Sequence, residues 1–316
     1  MNRRFEHFIA AVALLTALPH AGADTGVPAF HIIAPNGEMS TVIGTMHVAY
    51  PALLQPSPDL FDGAKVFVIE HSTANDRIDW TLAPEVRSAQ ASKLDIRANW
   101  ARTVTDAQIE NVRFNLSCVA AKAVPKDFLV ELLKLSSART WASLAFFPCA
   151  PLGMRSRDSL LEHTAQERNI PIEALETTEQ INARRAAIPE RLHIESFEYA
   201  AGIDLHRFYE DLSGALNRGD FDHVAHLIDA SYSSADDAAL FRRTMIDERN
   251  AEWLPALKHA FDQGHAVIGV GAAHLPGERG ILALLTKDGY NVTSIRLAAQ
   301  APAQSLNAVP ATPKEK

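Results

Sequence analysis

Cysteine is scarce in this 316-residue chain: there are two, Cys118 and Cys149, and neither belongs to a C-x-x-C pair. Dithiol redox catalysis is therefore not expected. Runs of basic residues are missing as well. Thirty Lys and Arg stand against 38 Asp and Glu, a formal charge of −8, which leaves no phosphate-binding face and argues against nucleic acid as a partner. Apolar runs are short. IAAVALLTAL (residues 9–18) has about half the roughly 20 residues that a membrane span needs, and no later segment comes close, so no stable membrane span is expected. There is no H-E-x-x-H, G-x-S-x-G or P-loop, which removes support for common zinc-peptidase, serine-hydrolase and NTPase readings.

What is present begins with an export signal. Arg3 and Arg4 precede the apolar stretch, and Ala21-Gly22-Ala23 supplies an A-x-A cleavage site. Residues 1–23 thus read as a signal peptide, with a periplasmic or secreted product starting near Asp24. Removing Arg3, Arg4 and Glu6 (net +1) takes the charge from −8 to −9. The Ala/Pro-rich end, residues 298–316, reads as a disordered tail. One large domain is expected between, over residues 24–297. In an oxidising compartment Cys118 and Cys149, 31 positions apart (149 − 118), could pair and stabilise by roughly 3 kcal/mol, or stay as two buried thiols.

The pattern within that domain is α/β. Strands are expected at FHIIAP (30–35), MSTVIG (39–44), AKVFVIE (64–70), IPIEALE (170–176), AVIGVG (266–271) and NVTSIRL (291–297), with Asn36-Gly37 as a hairpin turn. IPIEALE reads as a short buried strand. Amphipathic spacing predicts helices over 125–147, 155–169, near 217–229, and over FRRTMIDERNAEWLPALKHAFDQ up to a stop at Gly264. The expected fold is a mixed sheet built from two β-α-β halves, each ending a strand in Gly-x-x-His, with a large helical insertion between them. An internal repeat and convergence on a common pattern both account for the halves.

Those two motifs are the main candidates for chemistry. Gly44-x-x-His47 and Gly271-x-x-His274 lie 227 positions apart (274 − 47), and Glu70 and Glu176 also follow β-branched strands. Side chains beyond the carboxyl ends of strands in an open α/β sheet gather in one crevice. Two imidazoles with carboxylates suit zinc, manganese or cobalt, or serve as an acid–base pair. A glycine before each histidine lets the backbone turn sharply and approach a ligand closely. Gly269-Val270-Gly271 starts like a dinucleotide loop, but His274 stands in place of the third glycine, so that cofactor is not expected. Arg249 could clamp a substrate carboxylate or hold Glu70 or Glu176. His223 and His226 read as a solvated helix face.

VIGTMHV, VFVIE, RDSLLEHTAQERNIPIEALETTEQ, DERN and VIGVGAAHLPGERGILALLTKDGY, in this order, resemble the TraB/GumN family over about residues 28–297. That family is similar to TIKI metalloproteases and, more remotely, to erythromycin esterase-like enzymes. The resemblance implies one site lined by Gly44, His47, Glu70, Gly271 and His274, with Glu176, Gln180, Arg249 and Asn250 matching further motif positions. The family's usual Leu-Asp is here Arg157-Asp158, so only Asp158 carries over. The implied activity is hydrolysis of a peptide or similar amide with a divalent ion (manganese, cobalt or zinc), held by His47, Glu70 and His274. Glu176 would be a further ligand or base, and Arg249 would polarise the carbonyl or hold the substrate. The alternatives are a metal-free esterase-like hydrolase with a histidine base, or a non-catalytic protein that binds a peptide or small ligand in the same crevice.

Overall fold

The computed structural model describes residues 26–71, 80–90, 96–119, 124–151 and 153–300. The expected signal peptide and most of the expected tail lie outside them. Six strands form one sheet: β1 (Val27–Ile33), β2 (Met39–Thr45), β3 (Val66–Ile69), β4 (Ile172–Ala174), β5 (Ala266–Gly271) and β6 (Asn291–Leu297), in the order β4-β3-β5-β2-β1-β6. The four from β4 to β2 run parallel, and β1 is antiparallel to both β2 and β6. Gly37, with φ +92°, closes the β1–β2 hairpin at the expected Asn-Gly turn.

Alternating side chains separate two core layers, as period-two strands must. Val42, Val68 and Ile268 face one side, beneath helices α8 (Leu205–Arg218), α9 (Phe221–Asp229), α11 (Glu248–Gln263) and α12 (Ile281–Lys287). Their chain neighbours Ile43, Phe67 and Val267 face the other, against Phe61 and the Leu161 and Ala165 side of α5 (Arg157–Glu167). A separate core joins α1 (Pro84–Gln90), α2 (Asp106–Val119), α3 (Lys126–Leu132), α4 (Ala138–Ala145) and α7 (Glu190–Gly202), centred on Trp100, Trp141 and Phe197. The remaining helices are α6 (Thr178–Ala187) and α10 (Ala235–Arg242). The helical insertion is thus real, and it falls between β3 and β5.

Several expectations change in detail. The two strand–helix–strand units are interleaved, since β5 lies between β2 and β3 while β6 lies beyond β1. The helix expected over 125–147 is two helices. Between them Leu135 forms a β-bridge with Leu82, and the Ser136 N–H donates to the Thr81 carbonyl, so tertiary pairing replaces helical hydrogen bonds there. The single helix expected through DERN contains a π-helical turn at Arg243–Asp247. β4 is an exposed edge strand rather than a buried one. Residues 298–300 of the expected tail are tied down: Ser57 donates to the Ala298 carbonyl at 2.7 Å and Gln300 to that of Gln55 at 2.8 Å. Cys149 is disulfide-bonded, and Cys118 is the only other cysteine in the sequence.

Candidate functional site

The site forms at the carboxyl ends of the parallel strands, where topology predicts a crevice. The β3–β4 ladder continues past both strands: Leu175 donates to Ile69, and Glu176 to the Glu70 carbonyl at 2.9 Å. That pairing sets two carboxylates side by side. Both are buried, Glu70 at 4% and Glu176 at 6% exposure, so they need compensating charge.

Arg249 supplies it. Nη2 donates to Glu70 Oε2 at 2.7 Å and to Glu176 Oε1 at 2.6 Å, and Nε donates to Glu176 Oε2 at 3.2 Å. Nη1 donates to the Met245 carbonyl at 2.9 Å and reaches His274 Nε2 at 3.1 Å. All five N–H bonds of the guanidinium are thus engaged, and of the three roles expected for it, the arrangement is that of holding Glu70 and Glu176. Met245 belongs to the π-turn, a feature frequent at functional sites. The Arg249 guanidinium carbon also lies 4.3 Å from the centre of the Trp253 ring, a cation–π contact.

His274 is fixed from both sides. Asn250 Nδ2 donates to the carbonyls of His274 (3.2 Å) and Arg279 (2.9 Å), so its Oδ1 is the atom facing His274 Nδ1 at 2.6 Å. Nδ1 therefore carries the proton, and Nε2 accepts from Arg249. Burial, with Arg249 and His47 adding to it, pushes this imidazole down to about 3 against the pull of Glu70. His274 is a neutral, enclosed ring whose centre lies 4.6 Å from that of Trp253, tilted by 36°.

His47 differs. Its side chain is 60% exposed, with Nδ1 at 3.4 Å from Asp158 Oδ2 and Nε2 at 4.0 Å from Glu70 Oε2. The Asp158 carboxylate, with Glu70 behind it, raises the His47 imidazolium to about 9 against its own desolvation; water at the exposed edge screens that attraction. Burial would raise the Asp158 carboxyl, but His47 outweighs it and holds Asp158 below its ordinary value. Burial also works against ionised Glu70. His47, Arg249 and the Gly271 N–H, 2.5 Å from Oε1, outweigh it and keep Glu70 below the usual carboxylate range, while the neutral His274 ring adds no charge.

The glycines serve close approach only. Gly271 has an ordinary φ of −50°, and a Cβ there would meet Glu70 Oε1 at 2.9 Å and both His47 and His274 at 3.5 Å. A Cβ on Gly44 would meet the Phe221 ring at 2.8 Å, so this glycine lets α9 pack. Neither makes the sharp turn expected. Gln180 lies in a capping box with Thr177 at the start of α6. His223 pairs with Asp211 at 3.0 Å on a polar helix face, as expected.

Sequence reasoning missed His71. Among the described residues one group of three ligand-type side chains has donor atoms within 4.8 Å of one another: Glu70, His71 and Glu176, all buried. His47, Glu70 and His274 are not such a group, although His274 Nε2 lies 3.8 Å and His47 Nε2 4.0 Å from the Glu70 carboxylate. Adjacency to Glu70 was the available signal, but alternation along a strand would put consecutive side chains on opposite faces; His71 lies past the end of β3, where that rule lapses.

No described helix is long and apolar enough to cross a membrane. A search of curated proteins finds no match to the chain. The model of the TraB/PrgY/gumN family matches residues 29–294, which span every strand carrying a site residue. With both Gly-x-x-His histidines gathered about Glu70 and Arg249 inside that match, the chain belongs to the TraB/PrgY/gumN family.

Proposed function

We propose that the protein is an exported hydrolase that acts on a peptide or related amide bond through His47 and Glu70. The observation that supports this best is the inequality of the two histidines: His274 is enclosed, whereas His47 stands exposed at the mouth, paired to Asp158 and facing Glu70. Asp158 holds the His47 imidazolium by charge, 3.4 Å from Nδ1, and Nε2 is the nitrogen that faces Glu70. The Nε2 proton goes to the departing nitrogen of the amide, and Glu70 takes the proton released by the attacking water. The Glu70 proton then returns to His47 Nε2, which resets both groups. Arg249 and the Gly271 N–H keep Glu70 ionised, Glu176 and His274 hold Arg249 in place, and Asn250 holds His274. TIKI-like metallopeptidase chemistry is the nearest model for the reaction.

A divalent ion (manganese, cobalt or zinc) is the expected cofactor. Glu70, His71 and Glu176 would hold it, since two carboxylates and an imidazole within 4.8 Å suit such ions. Bound there, the ion would polarise the carbonyl and bring the pKa of a water towards neutrality. A second, metal-free reading is favoured by Arg249, which already gives both carboxylates a positive partner. Elemental analysis after exposure to manganese, cobalt and zinc, with peptide-library turnover before and after chelation, separates the two. About one equivalent of metal, with chelator-sensitive turnover, supports the metal reading. Turnover indifferent to chelator supports histidine–carboxylate catalysis. Tight peptide binding without product would replace both with a binding role.

A further inference from the structure

Arg157 is the residue at which this chain departs from the expected Leu-Asp pair, and it is 1% exposed. A buried guanidinium costs several kcal/mol unless its N–H groups are matched. Here Nη1 donates to the Gly44 carbonyl at 2.6 Å and Nη2 to the Leu54 carbonyl, while the buried Nε finds no hydrogen-bond partner among the described residues. Those two carbonyls bracket the segment that carries His47: one precedes the histidine by three residues and the other follows it by seven (47 − 44 and 54 − 47). The next residue, Asp158, meets the His47 ring itself. One turn of α5 therefore grips both the backbone and the side chain of the His47 loop. α5 is in turn anchored on the sheet, with Leu161 against Gly269 of β5 at 3.4 Å from where a Cβ would stand. From the outer side Asn217 of α8 bonds Ala52 and Leu54 of the same loop.

We propose that Arg157 is a positioning residue that fixes the His47 loop against α5 and so sets the distance between His47 and Glu70. A leucine could fill part of the space but could not bind two carbonyls. The device lets a loop 60% open at its functional side chain hold a constant geometry. The inference rests on the role proposed for His47, and its test is arranged so that the two can fail separately.

The experiment compares the full-length protein with Arg157→Met and Arg157→Lys. Hydrogen exchange is read on peptides covering residues 46–54 and, as internal controls, α11 and β5. Turnover is read on a peptide that the wild type cleaves. Arg157→Met is expected to speed exchange of the 46–54 amides about tenfold, as a locally freed loop does, while the controls hold. It should lower kcat about a hundredfold, the scale of a misplaced catalytic group, with KM nearly unchanged. Arg157→Lys, able to reach one carbonyl at a time, should fall between and remains the test if the Met variant does not fold. In a His47→Ala background Arg157→Met should cause no further loss, whereas a general structural role would lower the residual rate again. Unchanged exchange at 46–54, or loss that is additive with His47→Ala, overturns the inference. Faster loop exchange with His47→Ala still fully active would keep the loop-fixing role and overturn the proposed function instead.

Discussion

Arg249→Met should be the most damaging single change in the site, and the structure says why. Arg249 is 4% exposed and gives three hydrogen bonds to two carboxylates that are themselves buried. Removing one partner of a buried ionic network leaves charge without compensation, at a cost of about 3–5 kcal/mol. For a chain of this size that is a fall in Tm of roughly 6–20 °C. The sign of the pH dependence is a second check. Without the guanidinium, folded Glu70 loses one of the charges that hold its carboxyl down and would bind protons more readily than it does in the wild type. The stability deficit should therefore grow as pH rises from 5 to 8 and shrink in acid. Adding Glu176→Gln to Arg249→Met removes one uncompensated charge and should recover part of the lost Tm. Differential scanning calorimetry across pH reads all of this. A Tm within about 2 °C of wild type at pH 7, or a deficit flat with pH, would refute the view that Arg249 neutralises the pair.

Wild-type stability should itself decline in acid. His274 is neutral in the fold with a pKa near 3, so below about 6.5 the unfolded chain binds a proton that the folded one does not, costing up to about 1.4 kcal/mol per pH unit; a Tm constant between pH 6.5 and 4.5 would contradict this. His47, raised to about 9, should keep its proton at neutral pH, so turnover should fall as pH passes 9, and Asp158→Asn should move that limb towards about 6.5; an unmoved limb in a pH–rate profile would separate Asp158 from His47. Gly271→Ala should displace Glu70, whose oxygen lies 2.9 Å from the added methyl, and lower kcat. Gly44→Ala, which meets Phe221 instead, should cost about 1–3 kcal/mol of stability, and equal Tm values for the two variants would refute that division. Cys149→Ser should lower stability by roughly 3 kcal/mol, measured by denaturant unfolding; no loss would mean that the bridge constrains nothing that unfolds.

Much of the frame was legible in the residues because strands announce themselves. β5 and β6 fall where AVIGVG and NVTSIRL stand, since β-branched runs bounded by glycines have few other uses. The convergence of His47, Glu70, Glu176 and His274 was legible for the same reason, since parallel strands bring their carboxyl ends together; Arg249, on α11, was placed there by the family resemblance. What those residues do on arrival was not. Identical Gly-x-x-His spacing suggested equal roles, yet His274 is enclosed by Asn250, Arg249 and Trp253, while His47 meets Asp158 and water. That difference is set by which helices cover each strand end, and periodicity within one segment carries no information about it. The π-turn that brings Met245 to Arg249, the part played by His71 and the burial of Arg157 are likewise products of packing between distant segments.

Hydrolysis at this site is proposed to be the work of His47 acting with Glu70. Its most direct test is turnover of a peptide library by the purified protein and by His47→Ala, each assayed with and without manganese, cobalt and zinc, with Tm measured alongside. Cleavage by the wild type is expected, and its loss in a His47→Ala protein that remains folded. A His47→Ala protein that cleaves at the wild-type rate would contradict that proposal.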